Sequence, residues 1–292
     1  GDYYDFINAV RDDEHRNGTV DGALTLYHDR YSGQSGVPTA EYVRLRNARY
    51  INMGSFSHIT DDPSLTIDGI DFMQYPKAMA WMKGRITTVN QMDPSLMLMF
   101  HVAHSLVATN RPAEVFPDSR VMRADGKQAI YYEGQEGGYF SDERKQEGWH
   151  WYAYYPTLDN SFGAELMRAA DVMVDDIGCK GVFMDGFMTA YGGEYTYDRW
   201  DGHTADIDPA TNTITRKVGS VLLLSQDALV AFSRKMRDKG AQVIANNSVI
   251  TRTIGRETYI IFDQELQEGP STHLAPTVTT LSNAYRFSNE EE

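Results

Sequence analysis

A ten-residue stretch near the middle of the chain constrains the fold more than any other segment. Residues 178–187 read Gly-Cys-Lys-Gly-Val-Phe-Met-Asp-Gly-Phe, and the run 164–177 before them has apolar residues at helical spacing. Gly178 suits the position that ends such a helix. The apolar residues from Val182 onward are typical of a strand buried on both faces, as in parallel sheets. Helix, glycine turn, buried strand and terminal Asp185 form the repeating unit of an α/β barrel.

The carboxylate in this stretch has a position that suggests chemistry. Asp185 stands where the predicted strand ends, and Gly186 allows the backbone to turn sharply after it. In α/β barrels the carboxyl ends of the strands hold the catalytic groups. We therefore predict that Asp185 takes part in catalysis or substrate contact. The alternative is that it only caps the following loop.

Segments of strand character alternate with helical segments along the whole chain. The strand candidates are residues 24–27, 50–53, 96–100, 182–185, 242–245 and 258–262. This alternation favours neighbouring, mainly parallel strands joined by right-handed connections. For 292 residues, 41% of them hydrophobic, it predicts a single domain, a (β/α)8 TIM-type barrel over residues 1–292.

A closed barrel needs eight strands, and the sequence offers six candidates. Either two strands are hidden in segments that read as loops, or the barrel is incomplete, as it would be if its C-terminal units were missing. An open parallel edge invites pairing with another chain. We therefore expect a homo-oligomer or a further C-terminal segment if the edge is open.

Two long segments interrupt the alternation of predicted strands and helices. Residues 112–160 contain a hairpin signal at 121–133, centred on Asp125 and Gly126, and then the aromatic run 148–156. An insertion of this length predicts a loop that shapes a substrate site, with an aromatic plug over the barrel mouth as the alternative. After Asp185, a second long loop is predicted up to Gly219.

Composition narrows the range of partners and locations. The net charge of −14 argues against nucleic acid or an anionic membrane as the main partner, and no apolar run reaches eighteen residues. The single Cys179 forbids an internal disulfide and is expected to be a buried thiol. Because the sequence opens on Gly1, we expect that a leader was removed or the chain trimmed, and a removed leader would favour a secreted or periplasmic location.

Carboxylates end two of the predicted strands, Asp185 on the fourth and Asp263 or Glu265 after the sixth. Asp263 and Glu265 are two residues apart and so project to the same face. Glycoside hydrolysis uses two such groups: one as nucleophile or base, and one that protonates the leaving oxygen. This chemistry needs no cofactor and no metal. The alternative for Asp263 and Glu265 is a pair of solvated loop charges.

The remaining polar and aromatic groups near strand ends would bind the sugar substrate. We assign this role to Tyr27, His28, Asp29, His101, Trp149, Trp151, Asn246 and Asn247. Asn246 or Lys180 would hold Asp185 ionised, and Trp149 or Trp151 would give Glu265 an apolar wall that raises its pKa. For Asn246 and Asn247, turn formation is the alternative.

These residues resemble a known group of enzymes. Residues 178–185 are similar to the G-x-x-G-V-[FY]-x-D strand of glycoside hydrolase barrels, especially melibiase-like and related α-glycosidase families, and residues 155–163 are also similar to that group. The resemblance covers residues 155–270. It implies that Asp185 is a nucleophile at the end of the fourth strand and that Asp263 or Glu265 is the acid on the sixth.

Two other functions stay open at this point. One is a non-catalytic carbohydrate-binding barrel, since a fold does not determine an activity. The other is a metal-dependent hydrolase, in which His101 and His104 would hold zinc together with Asp185, His28 or His58. The histidine spacing matches no firm ligand pattern.

Overall fold

The computed structural model describes residues 3–13, 23–26, 38–45, 47–52, 69–131, 140–187, 193–246, 251–257 and 260–262. Within these residues the helices are α1 (Tyr3–Asp13), α2 (Ala40–Leu45), α3 (Pro76–Met92), α4 (Asp142–Gln146), α5 (Ser161–Asp171), α6 (Val221–Asp238) and α7 (Arg252–Gly255). The strands are β1 (Ala23–Leu26), β2 (Ala48–Asn52), β3 (Met97–Ala103), β4 (Leu106–Thr109), β5 (His150–Ala153), β6 (Gly181–Asp185), β7 (Tyr195–Thr196), β8 (Ala205–Asp208), β9 (Thr213–Lys217), β10 (Gly219–Ser220), β11 (Gln242–Asn246) and β12 (Ile260–Phe262). None of the described helices has the length and apolar content to cross a membrane.

Six parallel strands form the main sheet, in the order β1-β2-β3-β6-β11-β12. This confirms the six strand segments and their parallel pairing predicted from the sequence. Each new strand of the sheet is added on the same side as the chain proceeds. A doubly wound sheet would instead reverse its order at a switch point. The sheet therefore has the sequential order of a barrel wall.

Side chains alternate between the two faces of this sheet, and among the described residues the helices α3, α5 and α6 pack against one of them. On β3, Leu98, Phe100 and Val102 belong to a core cluster shared with residues of α3, α5 and α6. We call the face away from the helices the inner face. Helices on a single face are typical of a (β/α) barrel, in which the other face lines the interior. A closed eight-stranded barrel and the partner at an open edge both stay predictions.

The segment before β6 has the predicted helix and glycine end. Asn160 caps α5 by accepting a hydrogen bond from the Gly163 backbone N–H at 2.8 Å. The helix then widens into a π turn, Val172–Ile177, and ends at Gly178 with φ of 88°, a left-handed conformation that glycine adopts without strain. Cys179, next in the chain, is buried as expected.

The insertion forms a small second layer with its own apolar cluster. β4 and β5 pair antiparallel, and the predicted hairpin is confirmed by an antiparallel bridge between Met122 and Gln128, with Gly126 at φ of 81°. The second long loop is only partly a loop, because residues 205–217 form the β8–β9 hairpin. Its paired residues Ile207 and Ile214 are both exposed, so this hairpin buries neither isoleucine among the described residues.

A buried acid lies beside this second layer. Asp71, in the 3-10 turn Ile70–Gln74, is 2% exposed, and its Oδ1 has no hydrogen-bond partner among the described residues. Burial raises the pKa of Asp71 to about 7, against the opposing effect of hydrogen bonds from the backbone N–H groups of Asp71 and Gly69. The folded protein therefore holds this carboxyl as the neutral acid well above the usual value of 3.8.

We predict that Asp71 makes the protein less stable as the pH rises. Between pH 3.8 and about 7 the folded chain keeps a proton that the unfolded chain releases, so the free energy of unfolding falls through this window. Asp71→Asn should remove this slope in urea titrations repeated across the pH range. Asp125→Asn is the control, because a backbone hydrogen bond from Lys127 lowers the pKa of Asp125 and places its effect below pH 3.8. An unchanged slope in Asp71→Asn would contradict the prediction.

Candidate active site

Asp185 ends β6 at the carboxyl edge of the sheet, as the sequence predicted. The backbone turns at once, with Gly186 at φ of 62°. The Phe187 backbone N–H then donates to the carbonyl oxygen of Asn246 at 3.1 Å, which ties the turn to the end of β11. This turn leaves the Asp185 side chain 30% exposed.

The strand register places Asp185 and His101 on the same face. His101 is paired with Phe183, and paired residues of neighbouring strands project to the same side. Asp185 lies two residues beyond Phe183 and so shares that side. Val182 and Met184 belong to the helix-side core cluster, so this shared side is the inner face.

The same argument adds two amides from the flanking strands. Asn246 lies two residues beyond Ile244, which is paired with Phe183. Asn52 is paired with Met99, two residues before His101. Four adjacent strands thus each contribute one polar side chain to this group on the inner face. We call these the strand-end site: Asn52, His101, Asp185 and Asn246.

A short hydrogen bond holds the carboxylate of Asp185. The side-chain amide of Asn246, 4% exposed, donates to Oδ1 of Asp185 at 2.6 Å. This confirms the expectation that Asn246 holds Asp185. The alternative donor, Lys180, is wrong: its ammonium contacts the carbonyl oxygens of Pro94 and Leu96, the latter at 3.1 Å. Lys180 precedes β6 and therefore lies at the amino end of the sheet.

His101 lies beside the carboxylate in a dry environment. Its Nε2 is 3.9 Å from Oδ2 of Asp185, and its ring stacks on Phe183 with a centroid separation of 5.4 Å. The ring is 7% exposed, and burial lowers its pKa to about 4. His101 is therefore neutral at physiological pH. Its contact with Asp185 is therefore one between a neutral imidazole and a carboxyl group. Because His101 carries no extra proton near neutral pH, it is unsuited to the role of general acid.

Asn52 is a site residue that the sequence reasoning missed. Its side chain is fully buried, and its Nδ2 lies 3.1 Å from Nδ1 of His101. A signal for it was present, since Asn52 is the one polar side chain within the apolar segment 50–53. The rule that selected Asp185, a polar residue at the carboxyl end of an apolar strand, also selects Asn52.

His104 is close to the site, but the described residues do not gather a metal centre. Its ring is 2% exposed, lies 6.0 Å from the Phe187 ring, and has a pKa lowered by burial to about 4. Within the described ranges there is no group of three side chains suited to hold a metal ion. His101 and His104 as metal ligands therefore stay an alternative with no added support.

The two tryptophans predicted to bind substrate lie in the second layer. Trp151, 4% exposed, packs in the apolar cluster of the insertion with Phe140 and Val121. Trp149 is half-buried against the same cluster, and the Arg144 guanidinium lies 4.8 Å from its ring centre. The structure brings His101, Asp185 and Asn246 together and places Trp151 in the apolar cluster of the insertion.

Several predicted site residues lie outside the described residues. These are Tyr27, His28, Asp29, Asn247, Asp263 and Glu265, together with His58 of the metal alternative. Their roles stay predictions.

Comparisons with known proteins add little to this geometry. No protein-family model matches the chain, and no curated protein matches it. Among solved structures, trehalose-6-phosphate hydrolase (TreA) from Bacillus licheniformis aligns at a TM-score of 0.49 and 12% identity, over 86% of this chain and 50% of that one. A mutant of the trehalulose synthase MutB aligns at 0.42 and 12%, over 84% of this chain and 49% of that one. The chain thus spans about half the length of these proteins.

At these TM-scores and identities, the alignments carry no argument about the activity of this chain. They do not extend the narrower resemblance to melibiase-like proteins. The fold assignment therefore rests on the strand order and on the single helix-covered face, and the site rests on its own residues.

We predict that both buried histidines stay neutral between pH 6.5 and about 4. The unfolded chain takes up protons in this window that the folded chain binds only near its lower end, so stability should fall as the pH drops through it. NMR titration of the ring protons would measure this, with signals assigned from His101→Gln and His104→Gln. Protonation of either ring near pH 6.5 would contradict the assignment.

Proposed function

We propose that the protein is a glycoside hydrolase in which Asp185 is the nucleophile. The observation that carries the proposal is the position of one part-exposed carboxylate among buried polar groups at the carboxyl edge of a barrel-type sheet. Chemistry in barrel enzymes takes place at this edge. The resemblance of residues 178–185 to glycoside hydrolase strands supports the same residue for the same role.

The surroundings of Asp185 suit a nucleophile that attacks a sugar carbon. Asn246 donates to Oδ1, which stabilises the ionised carboxylate. His101 and Asn246 are uncharged polar groups, and such groups hydrogen-bond sugar hydroxyls without competing for the carboxylate charge. In a retaining mechanism Asp185 would form a covalent glycosyl intermediate, which water then hydrolyses.

The second carboxylate is assigned from the sequence. Glu265 is proposed as the acid/base, with Asp263 as the substitute, because both follow the sixth strand of the sheet. A retaining enzyme would hold the two carboxyl groups roughly 5–5.5 Å apart, and an inverting one about 6.5–9.5 Å apart. We propose retention. We also propose that the substrate contains an α-glycosidic bond, which is based on the family resemblance alone.

Asp185→Asn tests the proposal. It should abolish hydrolysis of a panel of aryl glycosides, because an amide is too weak a nucleophile, while sugar binding measured by calorimetry is kept. Asp175→Asn is a matched control: Asp175 lies in the π turn, 55% exposed and paired with Lys239, away from the inner face. Full activity in Asp185→Asn would overturn the proposal. Sugar binding without turnover in the wild type would favour the carbohydrate-binding alternative.

The role of Glu265 as the acid/base can be tested separately, by the dependence of activity on the leaving group. Glu265→Gln should spare substrates whose leaving groups need no proton, such as dinitrophenyl glycosides, and should lose activity on alkyl glycosides. Asp263→Asn provides the comparison, since Asp263 is the substitute acid and lies two residues from Glu265 in the sequence. A leaving-group effect in Asp263→Asn instead would reassign the acid, and equal loss on both substrate classes in both variants would contradict the two-carboxylate mechanism.

A further inference from the structure

The contact between Asn52 and His101 joins two buried side chains on neighbouring strands. Asn52 Nδ2 and His101 Nδ1 are 3.1 Å apart, and the two residues are 0% and 7% exposed. Asn52 ends β2 and His101 lies within β3, so parallel pairing of these strands fixes the approach of the two side chains. The His101 ring also stacks on Phe183.

The chemistry of this contact fixes where the imidazole proton lies. A side-chain amide nitrogen carries two hydrogens and acts only as a donor. With the Asn52 amide nitrogen facing the ring, Nδ1 of His101 is the acceptor, and the single proton of the neutral ring is on Nε2. Nε2 is the atom that faces Oδ2 of Asp185 at 3.9 Å. The opposite tautomer would set two donors against each other at Asn52 and turn a lone pair toward the carboxylate.

We propose that Asn52 is a positioning residue, which fixes His101 in its Nε2–H tautomer and so directs an N–H at the Asp185 side of the strand-end site. The carboxylate then accepts a hydrogen bond from Asn246 at Oδ1, and the ring N–H of His101 faces Oδ2 at 3.9 Å, beyond direct hydrogen-bond distance. A sugar hydroxyl that enters beside Oδ2 meets a donor of fixed direction. The effect of Asn52 on turnover rests on the proposed function, and its effect on the tautomer does not.

The first test reads the tautomer without any enzyme activity. In nitrogen-15 NMR of the whole chain, protonated and unprotonated ring nitrogens of a neutral histidine have well-separated shifts, and His101→Gln assigns the signals. The wild type should show a protonated Nε2 and an unprotonated Nδ1. Asn52→Asp keeps the side-chain size but presents only acceptors, so Nδ1 should become protonated. A protonated Nδ1 in the wild type, or no change in Asn52→Asp, would overturn the proposal.

The second test is a double-mutant cycle on turnover. Asn52→Leu should lower kcat/KM by about tenfold, the size expected for one lost hydrogen bond to a site group. A glutamine at position 101 carries an amide donor and has no tautomer to fix. In the His101→Gln background, Asn52→Leu should therefore change kcat/KM by less than about twofold. An equal loss in both backgrounds would show that Asn52 acts through packing alone and would overturn the positioning role.

The two tests separate this inference from the proposed function. If no glycoside is hydrolysed and NMR still shows the Nε2–H tautomer lost in Asn52→Asp, the proposed function fails and the Asn52 assignment stands. If the wild type hydrolyses glycosides but its His101 ring is in the other tautomer, the proposed function stands and the Asn52 assignment fails. Denaturant midpoints of each variant confirm that the comparison is made on folded protein.

Discussion

The period-two alternation of side chains along the parallel strands is the constraint on which the rest of the structure depends. On β3 and β6 it sends Phe100, Val102 and Val182 into the helical layer, where they contribute to one core. The same alternation leaves every second side chain on the inner face. Because the described helices α3, α5 and α6 pack on the other face, polar groups can lie at the carboxyl end of the inner face without breaking the helix-side core.

The electrostatic character of the strand-end site follows from this burial. Asp185 is part-exposed, whereas the other three residues of the strand-end site are buried, Asn52 and Asn246 are uncharged amides, and burial keeps His101 neutral with a pKa of about 4. Neutral hydrogen-bond donors orient a carboxylate through the geometry of the hydrogen bond and leave its negative charge unpaired by a cation. A lysine or protonated histidine in the same place would form an ion pair and reduce the tendency of the carboxylate to attack. The arrangement therefore favours nucleophilic or binding chemistry over ion pairing.

The sequence predicted the elements well and the contacts between them only in part. Gly178 and Asp185 were placed correctly because a glycine helix end and an apolar strand with a polar end are local patterns. The β8–β9 hairpin was missed although polar and apolar residues alternate around Ile207 and Ile214 on either side of a short polar turn. Lys180 was misassigned because closeness in sequence to Asp185 does not say which end of a strand a side chain reaches.

The succession of helices and parallel strands and the carboxylate at the end of β6 can be predicted from local patterns, since they depend on periodicity and turn chemistry within short segments. Only the tertiary structure decided which polar groups meet that carboxylate. Asn52, His101 and Asn246 come from three other strands, and their approach depends on strand register, which no single segment encodes. Burial, likewise a property of the folded chain, decided the neutral state of His101 and the core position of Trp151.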